Sequence, residues 1–561
     1  MTDKIGTILS AGTTTNVKFQ LNEKFEHEIT EGKLVEIKSG GDSILAMVST
    51  IQPHNDFYME GSGWSESLRK GMAIPSDVAR QYVSADLEIL GTLPGLVAIN
   101  RPPLPSDSVY NIDVSDPKKI FGFDQSRIGY VWYGTLKGYD NAPVPLSIEE
   151  CVMHMAIFGT TGSGKSYSTG ALIEKLVNVP VDKNTRGAIP MIIIDSNGDY
   201  YNYPENLDKF PNACGEMIRY VFPNSSALGS NSTIRELRID LGTLTRSQLA
   251  ETIMQFYAGT KDLEELQVSG LELLLEEVEE KNLPGGLGNP QETPFNPQYN
   301  NLFSNDAVYN DFINTMDNFA QGGRIHRGTA GAIRRAMDKF RHEAVDTGLF
   351  GANPTVSRDF LDDLTNTHST AIFDFSAEGA PGISLELKQV IVGIFATMLY
   401  QTFTEYKTRG TFRSIIFAIE EAHNYIPNQA TYKIGASLAR KMLHLIATQG
   451  RKFGIGLCLI SQRPAFLDEV VLSMVNTFFI HKVAIGDLPF VKKVTGVLNP
   501  TLENQLSKLP KGELIVTGMM SKDLPIPIRI QIRKDIDRKV SHPMGTTNVV
   551  ESLKVGNNSS N

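Results

Sequence analysis

Cysteine is scarce: Cys151, Cys214 and Cys458 stand far apart and form no CxxC pair. That excludes a disulfide framework and a zinc ribbon, and suits a reducing, cytoplasmic setting. Long apolar runs are missing too. No stretch approaches the ~18 to 20 apolar residues that cross a bilayer, and the opening text MTDKIGTILSAGTTTNVKF lacks the apolar block of a signal peptide. A soluble chain with no membrane contact is expected. Nor is there an excess of positive charge. With Lys+Arg 53 against Asp+Glu 63 the net charge is −10, which argues against a surface that binds nucleic acid everywhere. The composition of a disordered chain is also absent, since 41% of residues are hydrophobic and 21% charged. A substantial core must form. The length of 561 residues suggests more than one domain, or one domain enlarged by an insertion. No solenoid-type repeat occurs.

From Ile5 to about Leu146 the text consists of short β-branched and apolar runs, such as KLVEI, SILAMVSTI, LEILGTL and IGYVWYGTL, cut by Gly, Pro, Asn and Asp. These predict short strands in a small sheet or barrel over 1–150, broken by a helical or looped stretch around Trp64 to Val83. Trp132 and Tyr133 read as core residues of a strand. At Met155 the character changes. MAIF, MIIID, AIFDF, SIIFAI, GLCLIS and TFFIH are unbroken apolar runs alternating with helical periods, which predicts a mainly parallel sheet buried under helices over 151–535. From about Pro204 to Asn366 the alternation is interrupted. LEELQVSGLELLLEEVEEKNL and GTAGAIRRAMDKFRHEAVDTGLF have helical periods around a Pro/Asn/Gln-rich stretch, so this region is expected to be a mostly helical insertion. Its acidic segment reads as a solvated helix face. The tail over 536–561 is polar and expected to fray.

Gly159-Thr160-Thr161-Gly162-Ser163-Gly164-Lys165-Ser166 satisfies G-x-x-x-x-G-K-[ST] at every fixed position. Its glycines let successive backbone N–H groups turn inward around phosphates, and the helix that follows presents the positive end of its dipole. Lys165 would reach the β and γ phosphates of ATP, and Ser166 would offer its hydroxyl to Mg²⁺. The alternative is a Gly-rich structural turn. However, the motif sits between a strand and a helix, and with Tyr167 it forms the expected nucleotide-binding stretch. MIIID ends in Asp195, which either contacts Mg²⁺ or caps the loop after it. SIIFAI ends in Glu420-Glu421. Strand alternation is expected to part these carboxylates, with Glu420 on the metal side and Glu421 polarising the attacking water. GLCLIS is followed by Gln462, whose amide can bond both γ phosphate and water, or which simply begins a turn before Pro464. Arg451 and Lys452 close a helix. They either complement its C-terminus or, in a ring, place Arg451 against a neighbour's nucleotide. His154, His423 and His481 show no metal spacing and read as structural.

Together HMAIFGTTGSGKS, IIIDSNGDY, AIFDFS, IEEAHNYIP, GRKFGIGLCLISQRP and KLPKGELIVTG, in that order, resemble the HerA-type DNA translocases of the HerA/FtsK superfamily. The resemblance implies a RecA-like P-loop core behind an N-terminal HAS barrel, with Pro143-Val144-Pro145-Leu146 leading into the core. It also implies a homohexameric ring with ATP between subunits, double-stranded DNA in the channel and a NurA-type nuclease docked for end resection. An ATPase ring that serves as assembly scaffold or regulator of an effector nuclease or NAD-consuming enzyme in antiphage defence is the alternative within the same family. A secretion or conjugation ATPase of the superfamily is disfavoured by the missing membrane anchor. By the resemblance, Lys165, Ser166, Glu421, Arg451 and Gln462 fall on the family's site positions. Met153 stands where such proteins often carry a basic residue, and Asp199 replaces the usual Glu of the DxxGEY motif.

Overall fold

Six antiparallel strands close the N-terminal barrel: β1 (Lys4–Ile8), β2 (Asn16–Leu21), β3 (Leu34–Ser39), β4 (Asp42–Asn55), β5 (Gln81–Thr92) and β6 (Ser108–Asn111), in the order β1-β2-β5-β4-β3-β6. Side chains alternate across each strand, so Phe19, Val35, Ile37, Ala85, Leu87 and Val109 fill the interior while their neighbours face out. Closure leaves no open sheet edge. In this computed structural model the described residues are 3–55, 69–72, 81–210, 215–259, 264–281, 287, 298–430, 437–496, 500–522, 524, 528–533 and 537–541. Most of the expected stretch from Trp64 to Val83, most of the Pro/Asn/Gln-rich segment, Cys214 and residues 542–561 lie outside them.

The barrel ends sooner than the strand-rich text does. β7 (Tyr130–Leu136) and β8 (Pro143–Ser147) leave it and form the edge of the second body. Their side chains decide this. Tyr133, 1% exposed, packs edge-on against Phe479 and donates its hydroxyl to the Ser168 carbonyl at 3.0 Å, while Trp132 packs on Phe121 and Phe123. Tyr139 accepts the Leu34 N–H at 2.7 Å and ties the two bodies together.

The second body is built on a twelve-stranded sheet. Its parallel part runs β14 (Ile234–Glu236), β13 (Met217–Val221), β15 (Thr370–Asp374), β12 (Met191–Asp195), β16 (Ile415–Ile419), β17 (Ile455–Ser461), β9 (Met155–Phe158) and β18 (Thr477–Ile480). Then β19 (Glu513–Gly518), β20 (Ile528–Gln531), β7 and β8 follow antiparallel, and a small hairpin, β10 (Val179–Pro180) with β11 (Arg186–Gly187), lies apart. Every residue of β9, β12, β15, β16 and β17 is buried, because helices cover both faces. Register aligns their C-terminal ends: Asp195 lies opposite Asp374, and Ser461 opposite Phe158. Polar residues that follow these strands therefore gather along one edge.

The interruption from Pro204 to Asn366 is helical only in its later part. Its first stretch supplies β13 and β14, which extend the parallel sheet. The helices Arg246–Ala258, Glu265–Glu280, Asp306–Gln321 and Arg327–Thr347 then pack around Phe256, Phe303, Phe312 and Phe340. The acidic segment is not wholly a solvated face. Glu279 is 3% exposed and held by Arg246 at 2.6 Å and by the Tyr299 hydroxyl at 2.6 Å. In the tail, Arg538 and Val540 are buried. Glu174 accepts the Lys539 and Val540 N–H groups at 2.7 and 2.8 Å, and Arg538 lies flat beside Gly170, between the rings of Tyr167 and Tyr203. Among the described residues no helix is long and apolar enough to cross a membrane.

Candidate active site

β9 runs into the loop Gly159–Ser166, and the helix Lys165–Leu176 begins from Gly164, whose φ of 99° puts it in the left-handed region. A side chain there would be strained, and its Cβ would also fall 2.8 Å from the Gly512 nitrogen. That close approach is used: Gly512 N–H donates to the Ser163 carbonyl at 3.0 Å, so the Lys511-Gly512 turn braces the loop from behind. Thr160 N–H donates to the Lys482 carbonyl at 2.8 Å on the other side. Inside the cradle Ser163 Oγ is buried without a hydrogen-bond partner. Lys165 is only 5% exposed, and among the described residues no carboxylate lies within ion-pair distance of its ammonium. A buried cation, an orphaned hydroxyl and a helix N-terminus within one loop fit the phosphates of a nucleotide. Ser166 and Tyr167 are half-buried in the helix's first turn, and the Ser166 carbonyl accepts from Arg538 at 3.4 Å.

The acids occupy the same edge. Asp195, fully buried, accepts Gly198 and Asp199 N–H groups on Oδ1 at 2.8 Å each and Tyr200 N–H on Oδ2 at 2.9 Å. Both of its oxygens are thus engaged by the loop that follows it. Burial, and then Asp374 across the strands, push its carboxyl up to about 7. Glu420 is buried as deeply, accepting the Tyr200 hydroxyl at 2.9 Å and Asn197 Nδ2 at 3.4 Å. Burial first and Asp195 second drive it well above the usual carboxylate range, with Lys165 opposing. A nearby cation favours the charged form of such an acid.

Glu421 parts from Glu420 by a different route from pleat alternation. β16 has already ended at Ile419, and Glu421 sits in the left-handed region at φ 48°, ψ 43°. A non-glycine residue held there costs roughly 1 to 3 kcal/mol, and such strain concentrates where a side chain must be aimed. Here the turn aims the carboxylate at β17, the strand between β16 and β9. Gln462 Nε2 donates to Glu421 Oε1 at 2.5 Å, and Gln462 Oε1 accepts from Thr161 Oγ1 at 2.5 Å. One amide therefore bridges the phosphate loop and the glutamate.

Two of the histidines lie buried in the core. His154 accepts the Leu457 N–H on Nδ1 and bonds the Ala447 carbonyl through Nε2, both at 3.0 Å, and burial lowers it to about 4. His481 lies 2.6 Å from Ser168 Oγ behind the loop, lowered to about 3 by burial. His423 is different: its Nδ1 lies 3.4 Å from Glu421 Oε2 and 3.2 Å from Ser461 Oγ. Its proximity to Glu421 in IEEAH was the available signal, but only the left-handed turn folds it back onto the carboxylate.

Lys165, Ser166, Asp195, Glu420, Glu421 and Gln462 are thus brought to one edge, and Arg451 is not. It is exposed in the short helix Gly450–Phe453, immediately before β17, whereas Gln462 immediately follows that strand. The seven residues of β17 span roughly 20 Å at ~3.3 Å each, so Arg451 marks the opposite edge of the sheet.

The family model described as Helicase HerA, central domain, matches residues 131–399. The DNA double-strand break repair helicase HerA of Pyrococcus furiosus is 22% identical, with 96% of this chain and 94% of that protein covered. Its namesake from Sulfolobus acidocaldarius is 24% identical, covering 94% and 92%. Among solved structures, VirB4 of Thermoanaerobacter pseudethanolicus superposes with a TM-score of 0.48 at 15% identity, over 74% of this chain and 99% of that one. Because the sequence matches run through almost the whole of both chains, the likeness to the HerA helicases extends well beyond a shared phosphate loop, and the chain is an ATP-hydrolysing P-loop enzyme similar to them.

Proposed function

We propose that the chain is an ATP-driven translocase of double-stranded DNA, working as a homohexameric ring with a NurA-type nuclease in DNA-end resection and repair. The observation that carries this reading is the division of the catalytic set between two edges of one sheet. Lys165, Glu421 and Gln462 lie on one edge and exposed Arg451 on the other, so in this reading Arg451 serves a neighbouring copy and a second copy completes each site. Rings arise from such head-to-tail contacts when the rotation closes. The DNA substrate and the repair role are supported by the names of the HerA relatives.

In this reading Lys165 and the loop N–H groups hold the β and γ phosphates, and Ser166 and Glu420 face Mg²⁺, which would neutralise charge on the phosphoryl oxygens. Asp195 holds the loop that carries Tyr200 against Glu420. Glu421 orients and polarises the water, Gln462 links it to the phosphate loop, and Arg451 of a neighbouring copy approaches the γ phosphate. The acidic net charge is compatible with DNA binding, because phosphate contact is local to a channel and is screened within ~10 Å at 0.1 M salt.

The test is ATP hydrolysis with and without linear duplex DNA, coupled to displacement of a third strand from a triplex. Stimulation by duplex and ATP-dependent displacement are expected. A rate indifferent to DNA, with no displacement, contradicts the proposal.

A further inference from the structure

The left-handed turn that aims Glu421 leaves its carboxylate to be fixed by side chains. Gln462 holds Oε1, and the group beside Oε2 is His423. We propose that His423 is a positioning residue for hydrolysis, its Nδ1 switching between Glu421 and Ser461 and so holding or releasing the glutamate. The proposal rests on the reading of Glu421 as the residue that polarises water.

The chemistry follows from a nitrogen that faces two oxygens. When Nδ1 carries a proton, a small rotation of the ring from Ser461 would let it donate to Glu421 Oε2, 3.4 Å away. When the proton is on Nε2, the Nδ1 lone pair accepts the Ser461 hydroxyl at 3.2 Å and no longer supports the carboxylate. Ser461 is prepared for the second role, because its Oγ already accepts the Arg463 N–H at 3.1 Å and keeps its own proton to give. Ser461 is also the last residue of β17, directly before Gln462. A shift of that strand end toward or away from a γ phosphate would move Gln462 and Ser461 together, changing both partners of Glu421 at once. The ring is also in the field of Lys165 and Arg463, and Phe466 packs against it edge-on at 6.3 Å.

The experiment measures kcat and KM for ATP in His423→Ala and His423→Asn, with and without Glu421→Gln. A displaced general base loses rate without losing substrate, so His423→Ala is expected to lower kcat about 10-fold or more with KM within about two-fold. Asparagine puts an N–H close to the position of Nδ1 and is expected to restore most of that loss. Adding His423→Ala to Glu421→Gln is expected to cause no further fall, because the two act through one carboxylate. An unchanged kcat in His423→Ala overturns the proposal. So does an asparagine variant no better than alanine at equal thermal stability, or a further fall in the double variant. If Glu421→Gln alone leaves hydrolysis intact, the reading of Glu421 fails first, which separates the two.

Discussion

Glu421→Gln is expected to reduce kcat for ATP hydrolysis by roughly 10²- to 10⁴-fold, the range over which a positioned base contributes, while ATP binding stays close to that of the unaltered chain. The side chain keeps its length and left-handed backbone, and its amide oxygen can still accept from Gln462, so the loop geometry survives. What disappears is the negative charge that polarises a water lying between Glu421 and a γ phosphate. The substitution therefore separates binding from chemistry. Titration with a fluorescent ATP analogue, alongside turnover, checks both halves. Turnover within a few-fold of the parent would assign the water to another residue.

Lys165→Ala is expected to fail earlier, at binding. The ammonium is 5% exposed and unpaired by carboxylates among the described residues, so its stabilisation comes from the phosphates it meets. Hydrogen bonds to charged groups contribute ~1.5 to 3 kcal/mol each, which converts to about a 10- to 100-fold loss of ATP affinity for one such bond and more for two. A second effect compounds it. Lys165 is the cation that counters the rise of Glu420, so its removal pushes that buried carboxyl further up and disfavours the charged form that would meet a metal ion. Hydrolysis should fall to background at any attainable ATP concentration. An unchanged affinity measured by calorimetry would contradict this account of the loop.

The P-loop, the buried parallel strands and the acids after them could be read from the sequence, because each is a local pattern: a fixed glycine spacing, an unbroken apolar run, a polar residue where burial ends. What could not be read depends on partners far along the chain. IGYVWYGTL looks like another barrel strand, yet Tyr133 finds Ser168 and Phe479, so the strand joins the larger sheet. MIRYV carries a charge in its middle, and Arg219 is tolerated in a buried strand only because Asp374 receives it in an ion pair. The roles open at Asp195 turn on three backbone N–H groups of the following loop, which spacing does not reveal. His423 looked structural for the same reason: a left-handed residue two positions earlier, not a motif, brings it to the carboxylate.

The central claim is that each site is completed by a second copy, and mixing tests it most directly. Lys165→Ala lacks a working phosphate loop but presents an intact Arg451, and Arg451→Ala has the reverse defect. Each alone should be inactive. Co-assembled from mixed, unfolded or co-expressed chains, they are expected to recover ATP hydrolysis, because some contacts then join an intact loop to an intact arginine. If the mixture stays as inactive as its two components while forming the same assembly, the site is not shared and the account fails.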